Sequence, residues 1–304
     1  MSKHSQTSQT LFNCNNMVDP IKRIILKHPK DAFINQNKID SEYKSLNFLG
    51  APDLKESSKE FRHFTKILNS FDIKLHFIEK DDLTTIDSIY AHDPLIISNS
   101  GAIICNMGKK SRIPEKVAIK NFLKSKNIPI LGEITDPGKL EGGDIVWINQ
   151  NTIAVGMGYR TNMDGIKQLS KLLTDIVEEI IPVPLPHWNG PEDCLHLMSN
   201  LSPIDHNLFL VYPRLLPVNF IEYLLENNIE LINVPDEEYE TMACNVLAIA
   251  PKKVIMIEGN PLTKKLLEKN NVKVYTYKGS EISLKGSGGP TCLTKPLFRK
   301  PLNR

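Results

Sequence analysis

Several things are scarce or missing in this chain of 304 residues, and each gap removes a class of explanation. No apolar run approaches the ~18–20 residues of a membrane-spanning helix, so no span is expected. An excess of one charge is missing too: 37 basic residues stand against 35 acidic ones, for a net charge of +2. A chain this balanced is not expected to hold nucleic acid or an anionic membrane surface. Cysteine is sparse, and Cys14, Cys105, Cys194, Cys244 and Cys292 form no CxxC pair. An odd count without that spacing argues against a disulfide framework and against a structural zinc site, and a reducing, cytoplasmic setting is expected. The opening "MSKHSQTSQTLFNCNN" lacks the apolar h-region of a signal peptide. No Gly/Ser-rich linker interrupts the chain, so a polar N-terminal tail over 1–16 and one domain over 17–304 are predicted.

What is present is a repeated unit. With 41% hydrophobic and 24% charged residues, the chain can build a substantial core. One pattern recurs five times: a short apolar strand, a helical stretch, then a second strand. In the clearest copies "LFLVY" leads to "VNFIEYLLENN" and "IELINV", and "VIMIE" leads to "PLTKKLLEKNN" and "VKVYTY". Looser copies begin at "RIILKHP", "AIICN" and "TIAVG". The helical stretches carry apolar residues at i, i+3, i+4, as in Phe220, Tyr223 and Leu224. Pro114, Pro217 and Pro261 stand near helix starts, where a missing N–H is tolerated. Most first strands follow another apolar run across a turn, as in "PLIISNSGAIICN" and "DIVWINQNTIAVG", the pattern of a β-hairpin. Such a unit cannot bury its own apolar face, so five ββαβ modules packed around a closed ring are predicted, an α/β-propeller with pseudo-fivefold symmetry.

Reactive side chains recur at one place in the unit, just before the hairpin strand. "IYAHDPLII" carries His92 and Asp93, "KLEGGDIVW" carries Glu141 and Asp144, and "EDCLHLMSN" carries His196. After the fifth unit comes "GSGGPTCLT", which sets Cys292 behind three glycines and ahead of what reads as a flexible basic tail. In a ring, equivalent positions converge on the axis, so these residues should face one pocket, with the glycines giving a substrate access to the thiol. A cysteine paired with a histidine can act as a nucleophile. Several carboxylates in one pocket repel unless a cation joins them. A planar guanidinium suits them better than zinc, for which no HxH or CxxC spacing exists.

"LEGGDIVW", "GYRTN", "LHLMS" and "GGPTCLT", in that order across five repeats, resemble the guanidine-modifying superfamily of five-bladed α/β-propellers. That superfamily includes arginine deiminases, amidinotransferases and dimethylarginine dimethylaminohydrolase; the resemblance spans roughly residues 17–296 and is strongest to the last. It implies a nucleophilic Cys292, a His196 that protonates the leaving amine and then activates water, and a Glu141 that orients His196. It implies that Asp93 binds the guanidinium, Asp87 an α-ammonium and Arg160 an α-carboxylate, with Asp144 near them. Met198, where deiminases and amidinotransferases tend to carry an acid, is expected to leave room for N-methyl groups. His92 and Asn106 depart from the family pattern, standing where a glutamate and a second carboxylate-binding arginine are usual, so another guanidino substrate is left open.

The implied chemistry hydrolyses a small guanidino compound, N-methylated arginine first, to citrulline and an amine through a covalent thiouronium. It needs no metal and no organic cofactor. Arginine deimination, amidino transfer and a catalytically silent propeller that binds a cationic metabolite are the alternatives. Self-association as a homodimer is left open, and the long segment between Ile25 and Ser57 is expected to include a lid.

Overall fold

Fifteen short strands make up five three-stranded sheets in the computed structural model, which describes residues 12–302. The first module holds β1 (Ile21–Leu26) and β2 (Lys74–Phe77); the second β3 (Leu95–Ser98), β4 (Gly101–Ile104) and β5 (Ile130–Glu133); the third β6 (Ile145–Trp147), β7 (Thr152–Met157) and β8 (Glu179–Pro184). The fourth holds β9 (Leu201–Asp205), β10 (Leu208–Val211) and β11 (Glu230–Asn233), and the fifth β12 (Leu247–Ala250), β13 (Lys253–Ile257) and β14 (Lys273–Tyr277). In each of modules two to five the first two strands form an antiparallel hairpin, and the third lies parallel to the middle one after a helical crossover.

The first module is completed from the far end of the chain. β15 (Thr294–Arg299) pairs antiparallel with β1, giving the order β15-β1-β2 and closing the ring. The stretch after Cys292 is therefore no flexible tail: Thr294 is fully buried, and Lys295 and Arg299 are buried as well. Residues 13–16 also differ from the expected N-terminal tail. Asn13 N–H donates to Leu297 O at 3.0 Å, Arg299 N–H donates to Asn13 O at 2.8 Å, and the Asn16 side chain accepts the Val18 and Asp19 N–H groups. The remainder of that tail, 1–11, lies outside the described residues.

Strand alternation explains why the modules need each other. Successive side chains point to opposite faces of a sheet, and here each face meets a different neighbour. Ile24 packs with Leu247 and Ile255 of the fifth module, while Ile25 packs with Leu95 and Ile104 of the second. Ile96 and Ile97 divide in the same way between the third and first modules, as do Leu247 and Ala248 between the first and fourth. The five apolar clusters thus lie between successive modules. Strands buried on both faces read as continuous apolar runs, which is why "AIICN" and "LFLVY" carry no polar alternation.

Candidate active site

Each module presents a polar side chain shortly ahead of one of its strands, and the third presents two. Asp93 precedes β3, Glu141 and Asp144 precede β6, His196 precedes β9, Asn245 precedes β12 and Cys292 precedes β15. The strands converge, so these positions meet. His196 Nε2 lies 2.7 Å from Glu141 Oε2, and its Nδ1 lies 3.9 Å from Asp93 Oδ1 and 3.7 Å from Cys194 Sγ. Asn245 Nδ2 donates to Cys292 Sγ at 3.3 Å. Cys194, His196, Asn245 and Cys292 line one cavity of about 110 Å3, with Asp193, Tyr239 and Glu240 towards its other parts. No hydrogen bond joins Cys292 to His196; the thiol in contact with the imidazole is that of Cys194.

The local backbone explains the closeness. Gly143 has no Cβ because the His196 ring occupies that space, and its N–H donates to Asp93 Oδ1 at 3.1 Å. The glycines before Cys292 serve a different purpose from the one expected. A Cβ on Gly288 would strike the Tyr90 ring and one on Gly289 would strike the Asn245 amide, so they admit neighbouring side chains rather than a substrate. His196 caps the short helix Leu197–Asn200, where its N–H donates to Ser199 Oγ at 3.1 Å.

Charge in the site is closely matched. Burial works against ionisation of Asp93, yet Arg112 Nη1 donates to its Oδ2 at 2.5 Å and holds the carboxyl well below its usual range. Arg112 is itself held by Glu115 and by Tyr90 O. Burial would push His196 down, but Cys194, Asp144 and Asp93 hold it well above its ordinary value. Glu141, also opposed by burial, is kept low by the hydrogen bond and charge of His196. The pair is therefore an imidazolium against a carboxylate. Burial, with Asp93 and Cys194 adding to it, pushes the Cys292 thiol up to about 12, so it is a neutral S–H.

The remaining sequence candidates separate into supports and bystanders. Asp144 is buried, accepting from Leu197 N–H at 3.0 Å and Thr161 Oγ1 at 2.6 Å, so it anchors the helix that His196 caps. Burial raises its carboxyl to about 6. Arg160 Nη1 lies 3.7 Å from Glu141 Oε2, and its Nη2 donates to Asp193 O at 3.3 Å. Asp87 is ion-paired at 2.7 Å to Lys109, whose own N–H donates to Glu141 Oε1 at 2.9 Å.

Three of the sequence candidates engage groups outside the cysteine cavity. The His92 ring turns away, its Nδ1 donating to Thr294 O at 2.8 Å, and it borders a second cavity. Asn106 Nδ2 ties down the loop ahead of Glu141 through Asp136 Oδ1 and Gly138 O. Met198 packs into the apolar cluster of Val146, Leu201 and Phe209 and does not line the cysteine cavity. Its hydrophobic character answers to the core.

The site also contains residues to which no motif points. Asn245 obeys the same positional rule as the others and is recoverable from it. Lys109 and Arg112 lie in "GKKSRIPE", which resembles a surface charge run; nothing local signals that they turn inward. The segment between Ile25 and Ser57 reaches the neighbourhood of the site: Asn47 Nδ2 donates to Glu192 Oε2 at 3.0 Å, Leu49 N–H to Lys285 O at 2.7 Å, and Leu46 O accepts from Lys109 Nζ.

Three known proteins set this arrangement in context. The arginine deiminase of Listeria welshimeri is 26% identical over 255 residues; the match takes in 70% of this chain but 62% of that longer enzyme. Dimethylarginine dimethylaminohydrolase from Pseudomonas aeruginosa, solved as a cysteine-to-serine variant with citrulline, superposes with a TM-score of 0.72 at 24% identity, over 90% of this chain and 98% of that one. The amidinotransferase SxtG from Microseira wollei gives 0.77 at 18% identity, over 96% and 98%. At those identities the structural likenesses speak for the fold, a five-module α/β-propeller. Residues 28–299 match the family model described as "N,N dimethylarginine dimethylhydrolase, eukaryotic", and the chain belongs to that guanidine-modifying family.

Proposed function

We propose that the protein hydrolyses a guanidine C–N bond through a thioether-linked intermediate on Cys292, with N-methylated arginine as substrate and citrulline and an amine as products. One observation carries the reading: all five modules deliver a polar group to the same place, and the imidazole there is wedged between a carboxylate and a cavity that contains a thiol. A binding protein for a cation would have no use for that combination.

The chemistry follows from the charges. A neutral Cys292 is unreactive, and a guanidinium entering the cavity lowers its pKa by placing a positive charge beside it. The thiol proton passes to solvent, His196 being already protonated, and Asn245 Nδ2–H stabilises the resulting thiolate, which adds to the central carbon. Asp93 Oδ1, the oxygen not bound by Arg112, faces the cationic nitrogens. The amine departs with a proton from His196 Nδ1, leaving a thiouronium on sulfur. Water then attacks, His196 takes its proton, and the ureido product leaves as the thiol re-forms. Glu141 keeps the ring oriented and its cationic form stable throughout.

A second reading of the substrate has its own support. The cavity is lined by the carboxylates of Asp193 and Glu240 and by no lysine or arginine, and Asp87 is already neutralised by Lys109. That lining suits a guanidino compound whose far end is an amine without a carboxylate. A panel of methylarginines, arginine, guanidino acids and guanidinoalkylamines, assayed for ureido product and released amine with Cys292→Ser protein as blank, decides between them. Methylarginine turnover at least tenfold above the rest supports the first reading, and preference for the alkylamine supports the second. Turnover that requires an added amine acceptor means transfer, and no turnover of any member contradicts the hydrolase reading.

A further inference from the structure

The second cavity lies further along β3, β6 and β15, beyond the residues that precede those strands, and it shares no lining residue with the cysteine cavity. It measures about 40 Å3 and is bordered by Cys14, His92, Ile96, Trp147, Lys295 and Arg299. We infer that it binds one small monovalent anion of the chloride type, held between the Lys295 ammonium and the Arg299 guanidinium.

Two buried cations line this cavity. Lys295 and Arg299 are 7% and 3% exposed. Among the described residues neither forms an ion pair with a carboxylate. Lys295 Nζ reaches only His92 Nε2, at 3.5 Å, and Arg299 Nη1 donates to the carbonyls of Asp19 and Ala248. A buried cation without a counter-charge is strongly disfavoured.

Among the described residues the nearby acids are engaged elsewhere: Asp19, whose charge acts on Arg299, accepts from Asn16 Nδ2 at 2.9 Å and lies 3.1 Å from His206 Nε2. His92 donates its Nδ1–H to Thr294 O and so turns a neutral lone pair to the lysine. The nearby thiols are neutral, burial raising Cys14 to about 11 and Cys105 to about 12. Asp93 is already held by Arg112. Burial lowers the Lys295 pKa to about 8, which fits an ammonium lacking its partner.

Size and lining select the ion. A cavity needs about 10–15 Å3 to hold one water, so this one has room for a halide. Its apolar wall, Ile96, Ile97, Ile145, Trp147 and Pro296, suits an ion that sheds water readily.

The test is thermal unfolding of the full chain at fixed ionic strength, as sodium chloride or bromide replaces sodium gluconate or sulfate, alongside anomalous scattering from bromide-soaked crystals. The expected result is a Tm that rises with halide and saturates, one bromide peak between Lys295 and Arg299, and a Lys295→Met protein whose Tm ignores halide. A wild-type Tm indifferent to halide overturns the proposal, as does an equal halide response in Lys295→Met. If Lys295→Met does not fold, Lys295→Gln takes its place and the wild-type bromide map decides. Bromide in the cavity without any effect in solution means an adventitious ion only and also overturns it.

Discussion

At the scale of single residues the governing feature is His196. Its Nε2 is committed to Glu141, so Nδ1 is the atom free to exchange a proton with whatever occupies the cavity. Folding raises its pKa, and a group raised on folding adds stability that is fully present below its unfolded pKa of about 6.5 and is lost as pH climbs through the folded value. Every tenfold gain in the proton affinity of the ring on folding is worth about 1.4 kcal/mol. The stability difference between wild type and His196→Ala should therefore be largest below pH ~6.5 and shrink as pH rises through the folded value in urea melts. Glu141→Gln should bring the imidazole back toward its ordinary range in a carbon-13 NMR titration of the ring. A wild-type advantage that does not change with pH contradicts the ion pair. Met198 teaches the opposite lesson: a residue at a motif position can answer to the core alone, and burial, invisible in the motif, decides which.

At the scale of elements, β15 carries the most weight for its length. It closes the ring, completes the first sheet, and sets Cys292 two residues ahead of a strand, the offset of Asp93 and Asn245 in the second and fifth modules. Leu297 is fully buried in the cluster between the first two modules. Leu297→Ala should cost about 2–5 kcal/mol in denaturant unfolding, whereas Leu225→Ala, at a side chain 54% exposed, should stay within about 0.5 kcal/mol. Similar losses at both positions would mean that the closing strand is not integral to the core. Four hairpins and the crossover helices are legible in the sequence, because apolar period and turn residues are local signals. β15 is not. "TKPLFR" is basic and contains a proline, and its cations are buried only because a ring folds them inward, which is a long-range fact.

At the scale of the whole molecule, pseudo-fivefold repetition turns a local rule into a site. Asp93, Glu141, His196 and Cys292 are separated by as many as 199 positions in the chain, yet each precedes a hairpin strand, and position in the unit is enough to group them. The same rule reaches Asn245. It cannot reach Lys109 and Arg112, whose cations enter from a crossover connection to neutralise Asp87 and Asp93. Nor can it say that Cys194, two residues from His196, is the thiol in contact with the ring. That contact makes the identity of the nucleophile the point on which the account turns. Intact and peptide mass spectrometry of His196→Ala protein exposed to a turned-over guanidino substrate measures it directly. The account predicts an amidino adduct on Cys292, absent from Cys292→Ser and retained in Cys194→Ser; an adduct on Cys194, or one that survives in the Cys292→Ser background, contradicts it.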